Sequence, residues 1–162
     1  MSERFVVLLR HGIAEERSAN VKEEERALTA EGHQKMKQIA RGLARIFPDA
    51  DAIYSSPLVR AMQTAEHVVK AYEGRIGIET TDALVPDAST RELRSLLAKS
   101  RARQIIAVGH EPNLTENLCA LAALSSALRV ELKKGGCYGV RLQADGKGVL
   151  EWVLTPRVLR EV

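Results

Sequence analysis

Aromatic residues make up only 4% of the 162-residue chain, with a single tryptophan. That is too few for the stacking platforms that hold single-stranded nucleic acid, so no nucleic-acid partner is expected. No apolar stretch approaches the roughly 20 residues of a membrane span. MSERFVVLLR meets a charged residue too early for a signal peptide, and the chain reads as cytoplasmic and without membrane contact. Cysteine is scarce: Cys119 and Cys137 fit no Cys-x-x-Cys spacing and read as reduced structural residues rather than a disulfide or a metal pair. His-x-His, His-Glu-x-x-His and clustered-carboxylate spacings are also missing, which argues against a metal centre.

What is present suits one folded domain over residues 1–162. Hydrophobic residues reach 45%, and their low aromatic share means a core of Leu, Val, Ile and Ala. The net charge of +3 and pI near 9.0 favour anionic small molecules or acidic protein faces as partners. Three runs, FVVLL at 5–9, DAIYS at 51–55 and QIIAV at 104–108, are too short for helices and have the β-branched content of buried strands. Helical periodicity follows Thr29 (Met36, Ile39, Ala40, Leu43), Pro57 (Ala61, Met62, Ala65, Val68) and Pro112 (Leu114, Leu118, Leu121). Ser56 and Pro57 read as the cap and first residue of the second of these helices. A shorter helix is expected at about 90–99, and ADGKG reads as the turn of a hairpin joining 138–142 to 149–154. Strand and helix alternate, which predicts an α/β fold: a three-layer α/β/α domain with a mainly parallel central sheet and an antiparallel edge near the C-terminus.

Each of the three runs is followed at once by residues suited to a phosphate. Arg10, His11 and Gly12 follow the first, Ser56, Pro57 and Arg60 the second, and Gly109, His110 and Glu111 the third. In open α/β sheets ligands bind beyond the carboxyl ends of the strands, so these sets should share one pocket. Guanidinium forks at Arg10 and Arg60 match phosphoryl oxygens in charge and geometry. Helix N-termini near Pro57 and Pro112 would favour the same anion. A neutral imidazole can attack phosphorus in line, and Gly12 lets a ligand come close beside His11, which is therefore assigned as the nucleophile. His110 is left to stabilise the transferring oxygens, a role that gains from a protonated ring. His33 and His67 fall within helical periods with no convergent partners and read as structural or surface residues. The polar stretch AEERSANVKEEERA reads as a solvated loop or frayed helix, and the basic cluster Arg91, Arg94, Lys99, Arg101 and Arg103 as a solvated face.

LLRHGIA at 8–14, RALTAEG at 26–32, AIYSSPLVRAMQTAE at 52–66, AVGHEPNL at 107–114 and, more weakly, EWVLTPRVL at 151–159 together resemble the histidine phosphatase superfamily, and within it the SixA-type phosphohistidine phosphatases. The resemblance implies a phosphoglycerate mutase-like fold and a phosphorylated nucleophile at His11. It also implies a phosphate pocket completed by Arg10, Arg60 and His110, with no metal or organic cofactor. Gly12 and Glu111 are counted with the substrate-binding residues. Superfamily members acting on esters usually carry a glutamate that protonates the leaving alkoxide. LVPDASTRELRSLLAKS offers no clear counterpart, leaving Asp87, Glu92 and Glu111 as possible acids. Phosphohistidine, whose P–N bond is labile, fits that gap, and a histidine-phosphotransfer protein acted on by a monomer is the implied partner. Hydrolysis of small phosphate esters, or phosphoprotein binding without catalysis, are the competing readings.

Overall fold

The computed structural model describes residues 2–162. Six strands, β1 (Arg4–Arg10), β2 (Ala52–Ser55), β3 (Ile78–Thr80), β4 (Gln104–Gly109), β5 (Cys137–Leu142) and β6 (Gly148–Leu154), form one sheet in the order β3-β2-β4-β1-β5-β6. The pairings among β1 to β4 are parallel, whereas β5 runs antiparallel to both β1 and β6. A mainly parallel sheet with an antiparallel C-terminal edge is the expected architecture. Five helices flank it: α1 (Ala30–Ile46), α2 (Val59–Ala71), α3 (Thr90–Lys99), α4 (Asn113–Ala122) and α5 (Pro156–Glu161).

The unbroken apolar run of β1 follows from its place between two layers. Val7 and Leu9 face a core shared with Met36, Leu43, Ala65 and Leu159, from α1, α2 and α5. Val6 and Leu8 face the opposite core, built with Leu93, Leu97, Leu114 and Leu118 from α3 and α4. All four of these β1 side chains are fully buried.

Local signals set most boundaries. The Thr29 hydroxyl accepts from Gly32 N at 2.9 Å and caps α1, and Ser89 and Glu92 form a capping box that starts α3 at the expected place. The second helix corrects the sequence reading, since it begins at Val59 instead of Pro57. The Ser56 hydroxyl caps a turn before the helix by accepting from Leu58 N at 3.2 Å. Two elements lie outside the expected set. β3 has only three residues, too few to show a period, and α5 is a six-residue helix capped by Thr155 with Pro156 in its first turn. α5 packs so closely on α1 that a Cβ at Gly42 would lie 1.8 Å from the Leu159 carbonyl oxygen.

Arg101 and Arg103 precede β4, at the end of the sheet opposite Gly109. These two members of the basic cluster are exposed and remote from the pocket end of the sheet, whereas Arg91 stands in the first turn of α3 and Arg94 donates to Ala120 O. No helix among the described residues is long and apolar enough to cross a membrane.

Candidate active site

The carboxyl ends of β1, β2 and β4 are adjacent because the three strands are neighbours in the sheet. Arg10 pairs in register with Gly109, His11 N donates to Gly109 O at 3.0 Å, and Ser56 N donates to Val108 O at 3.0 Å. These backbone ties bring Arg10, His11, Arg60, His110 and Glu111 to one cavity of about 360 Å³. The expected convergence of three strand ends is thus realised.

The tautomer of His11 follows from its neighbours. Nδ1 lies 2.7 Å from Gly12 O, a carbonyl that only accepts, so Nδ1 carries the proton. Nε2 then holds the lone pair and accepts from Arg60 Nε at 3.3 Å. Burial, with His110, Arg60 and Arg10 nearby, pushes the His11 pKa down to about 2, so the ring is neutral at physiological pH. A neutral, oriented imidazole can attack a bound electrophile through this lone pair once a bound anion draws the Arg60 donor away from it.

His110 sits with its ring centroid 5.1 Å from that of His11, and its Nε2 is 2.8 Å from the Ser56 hydroxyl. Its Nδ1 is buried without a protein partner among the described residues, leaving that atom to a ligand. Burial first, then Arg60 and Arg10, lowers its pKa to about 3. The protonated ring from which the oxygen-stabilising role gains is therefore disfavoured in the free pocket, by burial first and then by the two guanidinium groups. A bound dianion would reverse that field and favour the imidazolium.

The arginines are held differently. Arg10 Nη1 donates to Leu132 O at 2.7 Å, while its Nε is buried and unpartnered. Arg60 is buried, and besides His11 it contacts Glu23, through Nη1 to the backbone O at 2.7 Å and Nη2 to Oε1 at 3.1 Å. Arg26 makes a two-pronged contact to the same carboxylate at 3.0 and 2.7 Å, and Arg17 approaches it at 3.4 Å. Hydrogen bonding to Arg26 leads the causes that hold the Glu23 pKa below the usual carboxylate range. Glu23, Arg17 and Arg26, with Lys134, thus join the cavity wall. They come from the polar stretch read as a solvated loop and from the segment before β5. Sequence reasoning missed them because a charged loop carries no period that says which of its residues turn inward.

Gly12 also departs from expectation. Its N–H is taken by Thr64 Oγ1 at 3.0 Å, its carbonyl by His11, and a Cβ there would meet Met36 Cγ at 2.5 Å. The glycine is required by close packing of α1, and its amide ties the end of β1 to Thr64 of α2. Of the possible acids, Asp87 is exposed and does not line the cavity, and Glu92 caps α3. Glu111 lines the cavity, but Thr115 N and Oγ donate to its two oxygens at 2.9 and 2.6 Å. His33 and His67, expected to lack partners, meet instead between α1 and α2, with Nδ1 3.0 Å from Nε2.

The histidine phosphatase superfamily (branch 1) model matches residues 6–85. The chain is similar to an uncharacterised protein of Picosynechococcus sp., 33% identical over 135 residues, which cover 82% of this chain and 81% of that protein. Among solved structures it is similar to the protein histidine phosphatase SixA complexed with tungstate, at TM-score 0.85 and 22% identity over 96% of this chain and 99% of the other. An Agrobacterium tumefaciens protein assigned as the phosphohistidine phosphatase SixA gives TM-score 0.79 and 26% identity over 94% and 98%. A mycobacterial glucosyl-3-phosphoglycerate phosphatase gives 0.76 and 14% over 94% and 99%. The mostly parallel six-stranded sheet with its antiparallel edge and flanking helices matches the phosphoglycerate mutase-like fold of these neighbours.

Proposed function

The chain belongs to branch 1 of the histidine phosphatase superfamily and is a phosphatase, and we propose that it hydrolyses phosphohistidine on a partner protein through a phosphorylated His11. The SixA proteins among its structural neighbours support the substrate class. The observation that carries the proposal is the lack of a ready proton donor among the cavity's carboxylates. Glu23 is clamped by Arg26 and Arg60 and held ionised, and both Glu111 oxygens accept from Thr115. An alkoxide leaving group needs a proton from the enzyme. A phosphorylated imidazole can carry its own on the other ring nitrogen, so it departs neutral when the P–N bond electrons return to it.

In this mechanism the dianion is bound by Arg10 and Arg60, each offering a planar fork of donors. His11 Nε2 attacks phosphorus, forming an Nε2–P bond as the substrate's P–N bond breaks, while Gly12 O holds the Nδ1 proton in place. His110 Nδ1 donates to a phosphoryl oxygen once the bound charge favours its protonation. Water then attacks phosphorus from the vacated side, the Nε2–P bond breaks with its electrons returning to His11 Nε2, and the water protons leave on the released dihydrogen phosphate. The physiological partner in this reading is a histidine-phosphotransfer protein.

The test is phosphate release from a phosphorylated histidine-phosphotransfer protein, with p-nitrophenyl phosphate in parallel. Turnover of the protein substrate should fall by roughly a thousandfold or more in His11→Ala, as when other enzymes lose a covalent nucleophile. Turnover of p-nitrophenyl phosphate alone would overturn the substrate class. Binding of phosphate without turnover of either compound would overturn the mechanism.

A further inference from the structure

Beside the phosphate pocket lies a second, larger cavity of about 500 Å³, and Arg10 and Lys134 line both. Its floor is apolar, made by Ile13, Met36, Ile39 and Pro156. Its rim is cationic: Arg10 from β1, Lys35 from α1, Lys133 and Lys134 from the segment before β5, and Arg157 and Arg160 from α5. Glu131 is the one carboxylate on this wall. Lys35 pairs with Glu31 at 2.8 Å and Arg157 with Glu161 at 3.5 Å. Lys133, Lys134 and Arg160 take part in no salt bridge among the described residues.

A small polyanion would be gripped by buried donors converging on a point. Here Lys133, Lys134 and Arg157 are exposed and surround a hydrophobic floor, which is the anatomy of a protein-docking subsite: an apolar anchor in the centre and complementary charge around it. The phosphate pocket's place beside it fixes what docks. When the phosphorylated side chain of a protein reaches His11, the residues beside it come to lie over this floor, since Arg10 and Lys134 line both cavities. We propose that this cavity is the docking subsite for the surface flanking the phosphohistidine of the protein substrate, taking an apolar side chain on Met36 and Ile39 and acidic residues on the Lys133–Arg160 rim. The inference rests on the phosphohistidine reading and adds to it the chemistry by which the partner is chosen.

The placement also explains a backbone detail. Gly135 N is shared between Arg10 O at 3.1 Å and His11 O at 3.2 Å, and a Cβ at Gly135 would meet Ile39 Cδ1 at 2.7 Å. The segment bearing Lys133 and Lys134 is therefore fastened to the phosphate pocket on one side and to the apolar floor on the other. Docking residues and nucleophile keep a fixed relation.

The experiment compares two phosphohistidine peptides, one with Leu and Glu beside the phosphohistidine and one with Ser and Lys there. They are tested on the wild-type protein, on Lys133→Glu/Arg160→Glu and on Arg101→Glu/Arg103→Glu at the far end of the sheet. The wild type should prefer the acidic peptide at least tenfold in kcat/KM, mainly through KM. The ratio should fall to near one or invert in Lys133→Glu/Arg160→Glu and persist in Arg101→Glu/Arg103→Glu. Equal turnover of both peptides by the wild type, or a preference that survives Lys133→Glu/Arg160→Glu, overturns the docking subsite and leaves the phosphohistidine reading standing. Turnover of neither peptide by the wild type overturns that reading and the subsite with it.

Discussion

At the scale of single residues, the proton on His11 decides whether the pocket can react, and burial keeps it off Nε2. With a pKa pushed down to about 2, the His11 ring stays neutral well into acid, as the proposed attack through Nε2 requires. Once the substrate's own ionisation is divided out, kcat/KM should show no acid limb from His11 between pH 5 and 8; a limb near pH 6.5 that shifts when His11's neighbours are changed would refute this. Glu23 is the other residue that matters at this scale, because its carboxylate holds the Arg60 Nη2 donor that a phosphoryl group would take over in the proposed mechanism. Replacing it as Glu23→Gln removes the competing charge and should lower the inhibition constant of inorganic phosphate severalfold, read in a competition assay. Arg60→Lys keeps the charge but loses the fork, and should cost about ten- to a hundredfold in kcat/KM, the equivalent of one charge-assisted hydrogen bond. Arg10, His11, Arg60 and His110 were legible in the sequence because each stands at a strand end or one turn beyond it, where alternation of strand and helix dictates position. Glu23 and Arg26 were not legible, since the contact that joins them to the pocket, Glu23 with Arg60, spans 37 residues and leaves no period in the charged loop.

Among the elements, the strands and long helices were legible because burial writes a period into them, and α5 and β3 were not because six and three residues write none. α5 is nevertheless tied to the site, since Pro156, Arg157 and Arg160 line the second cavity while Leu159 is buried against α1. The contact has no slack at Gly42, where any side chain would strike the Leu159 carbonyl. Gly42→Ala should therefore push α5 outward at a cost of about 1–3 kcal/mol, measurable as a drop in urea-denaturation stability. It should raise KM for a protein substrate more than for p-nitrophenyl phosphate. A stability equal to wild type would show that α5 can shift without resistance.

For the molecule as a whole, two buried neutral histidines make stability depend on acid. In the unfolded chain each titrates near 6.5, whereas in the folded one they bind protons only near pH 2 and 3. Below pH 6.5 the unfolded state takes up protons that the folded state refuses, so stability is lost as pH falls through this window. Each group contributes a slope of about 1.4 kcal/mol per pH unit. His110→Asn removes one of them and should flatten the stability profile between pH 6 and 4 by about that amount, measured by urea unfolding at each pH. The hydrogen bonds from His11 N to Gly109 O and from Ser56 N to Val108 O have a further consequence, one of timing. Three of the pocket's walls are the ends of strands already zipped together at the centre of the sheet, so they cannot part or draw near on their own. The ends of β1, β2 and β4 therefore take no part in any closing stroke, which is left to the loop that carries Arg17, Glu23 and Arg26, and the amides of His11 and Ser56 should exchange with solvent equally slowly whether the pocket is empty or filled with vanadate.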